Sequence, residues 1–420
     1  MRIVKSPSSL KHFREDRINS LFVFHLALML VKNMLVATNS VMFGLNDSLN
    51  MIILVLLAGC YLYVLVKEKF FLHISRTMLL SLLLLFTFIL ISILRIPGLF
   101  QNEGVKHQFR TFISYCLPLY ILSFYVKNTD DLMARMYHSI PILFIVACVC
   151  FVFSLQSKLS LAQTGYNESY SMSYGYSVLF ISLLCLFKFV DIRKSIDLFL
   201  FCVTVLFIVI SGSRGPIVYL GFAIVFCFIT DERIKTVYKI GLAVFTLLLS
   251  VLLFLNFDII INIISNLMER IGLPSRTLSY LSSGQIVSDS GRGEIYVRLL
   301  SRINKSPFFG IGAFGGEYTV YLSHNLYYDF FANFGYVFGS IFIITLLFSS
   351  IVYMVSVKGT TTFSLLGMMF VLVFGGGFFS ESFFGTKELW ILMGLLLSRH
   401  SSKKKNTATI MLHSSSKTCE

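Results

Sequence analysis

The chain reads as an all-α membrane protein that crosses a bilayer many times, and three observations lead there. Its 420 residues are 56% hydrophobic and only 13% charged, with a mean hydropathy of +0.80, a balance outside the range of soluble globular domains. Apolar runs long enough to cross roughly 30 Å of hydrocarbon recur along almost the whole length. Those runs are continuous in Leu, Ile, Phe and Val, without the alternation of barrel strands, so a helical bundle satisfies the backbone where a closed barrel does not.

The spans read approximately as Leu21–Ala37, Leu49–Val66, Thr77–Leu94, Thr111–Val126, Tyr137–Leu155, Ser171–Val190, Asp197–Ile210, Pro216–Ile229, Val237–Phe257, Leu326–Met354, Thr361–Phe378 and Glu388–Ser398, about twelve in all. Residues 1–400 form one polytopic domain with a long outward loop at about 258–323, and residues 401–420 form a Ser/Lys-rich disordered tail. Met1–Asn19 is basic and precedes an apolar run, but Lys32 and Asn33 interrupt that run and no small-residue cleavage site stands out, so an uncleaved anchor is expected. Lys32 is expected to reach an interface or a polar partner inside the bundle.

The formal net charge of +14 would suggest nucleic acid in a soluble protein. Here it falls largely in short loops on one side: Lys67, Lys69 and Arg76; Lys127 and Arg135; Arg193 and Lys194; Arg233, Lys235 and Lys239; Lys358; and the basic tail. That bias puts both termini in the cytoplasm and points to anionic lipid as the partner of the charge, with no nucleic acid. Seven of the eight cysteines sit inside apolar segments and Cys419 is in the tail, so neither a disulfide framework nor a metal site is expected.

Polar chemistry concentrates in Ser290–Gly335. Glu294, Arg298 and Arg302 recur every four residues on one face of a short helix, with Ile295, Leu299 and Ile303 on another, which predicts an interfacial helix lying apolar side down on the membrane. Pro307 and Gly310, Gly312, Gly315 and Gly316 then break it and give a backbone able to approach a ligand closely. The run Gly310–Gly315 matches G-x-G-x-x-G literally, but no strand–helix–strand unit surrounds it, so a dinucleotide site is set aside.

Arg214, in S-G-S-R-G-P, breaks the charge bias in a very short outward connection and stands beside a helix start, where free amides and a permanent guanidinium suit an anion. The competing reading is a lipid headgroup contact that stops the helix. Arg292, flanked by Gly291 and Gly293, and Arg298 are further outward candidates for a diphosphate, with interfacial anchoring as the plainer alternative. His324, the only histidine of the long outward loop, is the side chain suited to taking a proton from a hydroxyl near neutral pH. Asn325 either orients a sugar or the imidazole, or caps the helix beginning at Leu326.

Taken together, S-G-S-R-G at 211–215, G-R-G-E-I-Y at 291–296, S-P-F-F-G-I-G at 306–312 and H-N at 324–325 resemble the bacterial O-antigen polymerase family and, more distantly, the O-antigen ligases that share its architecture. The resemblance implies a GT-C-like bundle in the bacterial inner membrane with a long periplasmic loop, acting as a metal-independent, inverting glycosyltransferase without a cofactor. Its donor would be an oligosaccharide on undecaprenyl diphosphate, transferred to the next lipid-linked repeat by a polymerase or to the lipid A core by a ligase; a chain-length regulator is a candidate protein partner. Arg214 and Arg292 would hold the diphosphate and His324 would activate the acceptor. Ligases often carry a tryptophan after the loop arginine, where this chain has Glu294-Ile295-Tyr296, and that departure favours polymerase. A lipid-linked sugar flippase, the reading from another class, should show two related halves, and none are found.

Overall fold

The computed structural model of the chain describes residues 17–39, 46–67, 75–126, 128–163, 172–211, 214–239, 241, 292–321, 323–377 and 382–399. The expected span Val237–Phe257, the part of the long loop before residue 292, Gly212, Ser213, the basic residues of 1–16 and the tail 401–420 fall outside these, in whole or nearly so. Every described regular element is helical. The helices of the bundle are α1 (Arg17–Asn39), α2 (Asn46–Lys67), α3 (Arg76–Arg95), α5 (Leu117–Tyr125), α6 (Thr129–Gln163), α7 (Met172–Ile192), α8 (Ser195–Ser211), α9 (Arg214–Thr230), α12 (Leu326–Ser356), α13 (Thr361–Phe370) and α14 (387–399). Three shorter ones, α4 (Glu103–Thr111), α10 (Arg292–Ile303) and α11 (Gly315–Val320), precede or connect them. Five of the described helices are long and apolar enough to cross a membrane, namely α1, α3, α6, α7 and α12, and shorter apolar helices accompany them. The chain is thus an all-α, multi-pass membrane protein.

Burial separates the centre of the bundle from its lipid-facing rim. In α7, 67% of the apolar window is enclosed, against 17% in α3, whose Leu79, Leu80, Leu83, Leu84 and Leu94 are exposed. A row of fully apolar exposed side chains needs hydrocarbon around it, so α3 is a perimeter helix and α7 an axial one. Lys32, in the middle of α1, does find a partner inside the bundle: its ammonium donates to the Tyr115 hydroxyl at 2.8 Å and lies 4.6 Å from that ring's centre.

Two features shape the outward end. The helical run after α13 widens into a π turn at Val371–Gly375 and stops at Gly376 and Gly377. α12 is broken at Gly335, whose φ of 77° and ψ of 172° lie outside the helical range. The break serves a backbone contact: Tyr336 N donates to Pro307 O and Ile311 N to Ala332 O, both at 2.7 Å. Gly310 and Gly335 both have positive φ, and a Cβ on Gly310 would come within 2.5 Å of the Gly335 nitrogen. Gly310 and Gly315 therefore let the loop dock on α12, and Gly312 lets it lie against Ser92 of α3. α3 clamps the same loop, with Arg95 donating to Gly310 O at 3.1 Å and to Ser306 Oγ at 3.0 Å, and Ser92 Oγ accepting from Ala313 N at 2.7 Å.

Candidate functional site

α10 runs beside the first turns of α12 in the same direction. Tyr296 stacks on Tyr328 with ring centres 4.7 Å apart, Leu299 and Ile303 bury against Ala332, and Tyr336 Oη donates to Asn304 Oδ1 at 2.8 Å. The apolar face of α10 is thus covered by protein where the sequence suggested membrane. Periodicity identifies an apolar stripe but not what covers it.

α9 runs antiparallel to the α13 segment: Phe226 packs on Phe363 and Phe370, a Cβ on Gly375 would meet Phe222, and Tyr219 Oη donates to Gly376 O at 2.8 Å. The start of α9 therefore lies at the end where the α13 segment finishes. α12 begins there too, because Leu326 N donates to Gly377 O at 2.7 Å and Tyr327 Oη to Phe374 O at 2.8 Å. Around the Gly376–Gly377 turn and the first turn of α12, then, the structure gathers the N-terminal ends of α9, α10 and α12. The dipoles of these three helices make that end favourable to an anion.

Each sequence-selected residue can be placed on this frame. Arg214 is the first residue of α9 and Arg292 the first of α10. Arg298 lies nearly two turns further along α10 with a 71% exposed side chain, and it pairs with Glu294 at 3.3 Å, the i,i+4 arrangement the spacing predicts. Arg302 is also exposed. His324 is half-buried between buried Ser323 and Asn325, with a left-handed φ of 52°. Asn325 caps α12: its Oδ1 accepts from Tyr327 N at 2.9 Å and Tyr328 N at 3.2 Å. Of the two roles the sequence left open for Asn325, capping is the one its oxygen performs. Among the described residues no three His, Cys, Asp or Glu side chains gather in a set able to hold a metal ion.

Residues 198–344 match the family described as O-antigen ligase. The chain carries that family's domain. No curated protein and no solved structure matches it. The matched residues run from Leu198, near the start of α8, to Ile344 in α12 and contain Arg214, Arg292, Arg298, His324 and Asn325. The turn at Gly376 and Gly377 lies beyond the matched residues, yet it is the piece on which α9 and α12 meet. Sequence reading passed over it, together with Tyr219 and Tyr328. A run of three glycines at the end of an apolar segment was the available signal.

Proposed function

We propose that the protein transfers a glycan from a polyprenyl diphosphate to an acceptor hydroxyl at the non-cytoplasmic face of the bacterial inner membrane, as an O-antigen ligase acting on lipid A core. The observation that carries this reading is the overlap of the O-antigen ligase domain with the end of the bundle where three helix starts and His324 converge. In the transfer, His324 takes the proton of the acceptor hydroxyl as its oxygen forms a bond to the anomeric carbon from the side opposite the diphosphate. The bond from that carbon to the diphosphate oxygen breaks, and the electron pair leaves with the diphosphate, inverting the centre. Negative charge grows on the leaving group, and Arg214, Arg292 and the amides at the starts of α9 and α10 stabilise it more in the transition state than in the ground state. Arg298, exposed at the rim, contacts the glycan. Both termini lie in the cytoplasm.

Polymerisation onto the next lipid-linked repeat is the second reading, favoured by Tyr296 standing where ligases often carry tryptophan. A deletion strain examined by lipopolysaccharide gel separates them. Core alone with lipid-linked polymer accumulating supports the ligase, a single repeat on the core supports the polymerase, and an unchanged ladder removes both. His324→Ala and Arg292→Ala each abolish the product while the protein accumulates in the membrane at wild-type level.

A further inference from the structure

Next to the His324 segment two carboxyl groups are sealed from water. Glu317 of α11 and Asp329 of α12 are both 0% exposed. Asp329 Oδ2 accepts from the Phe383 amide at 2.6 Å and from Asn333 Nδ2 at 3.3 Å, and its carboxyl is also bonded to Ser323. The other oxygen, Oδ1, lies where a side chain on Gly316 would go, directly before Glu317. Neither acid has an ion-pair partner among the described residues.

Two facing carboxyls in such a place cannot both ionise, because burial and mutual repulsion each favour keeping one proton. Donors decide which keeps it. Asp329 accepts from Phe383 N and Asn333 Nδ2 with the Ser323 hydroxyl in reach, and so takes the charge, whereas Glu317 is offered only its own backbone amide and the Ser382 hydroxyl, which accepts from Gln108 Nε2 at 2.6 Å. Burial, and then the facing Asp329, push the Glu317 carboxyl well above the ordinary glutamate range. Other charged groups on the packed helices point elsewhere: His107, Arg110, Arg298 and Arg302 are exposed, and Lys106 pairs with Glu103.

Ser323 connects this pair to the reaction. Its hydroxyl lies within reach of both the Asp329 carboxyl and the Asn325 carbonyl, the latter at 3.3 Å, so it ties the residue before His324 and the one after it to the buried acids. His324 itself holds a left-handed conformation that a non-glycine residue keeps only where its neighbours fix it.

We propose that Glu317 and Asp329 share one proton and hold a single negative charge behind His324, with Asp329 a positioning residue that acts through Ser323. The proposal rests on His324 being the base of the glycosyl transfer proposed above. The charge orients the imidazole and favours the imidazolium that forms as the acceptor hydroxyl gives up its proton.

The test uses the full chain in lipid nanodiscs, with undecaprenyl-diphosphate-linked glycan extracted from the deletion strain as donor and lipid A core as acceptor, and measures kcat and KM for each variant. Asp329→Asn removes the charge that acts through Ser323 and lowers kcat at least about fivefold, whereas Glu317→Gln keeps a neutral donor beside the charged Asp329 and lowers it less. The double variant is isosteric but neutral, and its kcat falls at least about 20-fold with the donor KM changed less than about twofold. Ser323→Ala, with both acids intact, lowers kcat at least about fivefold. A double variant as active as either single one, a single amide as damaging as the double, or an Asp329→Asn or Ser323→Ala protein with wild-type kcat overturns the proposal while transfer itself stands. If wild-type protein makes no product, the glycosyl-transfer reading falls and takes this one with it.

Discussion

Gly310 and Gly359 offer a matched pair of substitutions that isolates what the glycine loop does. Both have positive φ, 68° and 81°, but nothing lies within 4 Å of a Cβ built on Gly359, whereas one on Gly310 meets Gly335 N at 2.5 Å, Ala332 O at 2.7 Å and Asn333 C at 2.8 Å. Alanine at either site pays about 1–2 kcal/mol for the left-handed backbone. At Gly310 it also overlaps backbone atoms that cannot swing aside, at about 1–3 kcal/mol. Pushing the loop off α12 further weakens the bonds from Ile311 N and Tyr336 N, worth about 0.5–1.5 kcal/mol each. Gly310→Ala is therefore expected to destabilise by about 2–4 kcal/mol more than Gly359→Ala. The single tryptophan is a ready reporter, since Trp390 is buried against Phe112, Tyr120 and Phe383. Its emission during reversible unfolding in mixed micelles gives both midpoints. Equal destabilisation by the two substitutions would show that only the backbone angle matters and that the docking of the loop on α12 contributes nothing.

Other outcomes follow from the same geometry. Asn325→Ala removes the cap of α12 and is expected to cost about 1 kcal/mol of stability, and Asn325→Asp, which still accepts from Tyr327 N and Tyr328 N, restores most of it in the same unfolding assay. Arg298→Ala breaks only an exposed pair, so its unfolding midpoint stays at the wild-type value and any loss of transfer reports a lost substrate contact. Because Glu317 binds its proton more tightly folded than unfolded, its contribution to stability is complete below the ordinary value of 4.5 and is lost as pH rises toward its raised folded value. Melting curves recorded from acid to alkaline pH should fall more steeply for wild type than for Glu317→Gln; parallel curves would mean that Glu317 binds its proton no more tightly in the folded chain than in the unfolded one.

The fold class was legible because it follows from composition, and the α10 face because charge and apolar residues alternate at a local period that pairs Glu294 with Arg298. What escaped depends on contacts between distant segments. Leu299 and Ile303 read equally well as facing lipid or protein, and only Ala332, about thirty residues on, decides between them. Gly310 looked like part of a ligand loop because the sequence does not reveal that Gly335 lies against it. Glu317 and Asp329 are twelve positions apart on different helices, each an unremarkable acid near a helix start until folding encloses both. The histidine and the helix-start arginines were legible for the opposite reason: polar groups at the edge of an apolar run mark themselves.

The interruption of α12 at Gly335 also sets an elevation. The helix beyond it, up to Ser356, has roughly 20 residues and so reaches about 30 Å, the thickness of a bilayer's oily interior. The part before it adds about 14 Å and carries the His324 segment at its far end. In the glycosyl transfer proposed above, a polyprenyl tail would stay dissolved among the acyl chains while its polar head rises to the imidazole, with no need to leave the membrane.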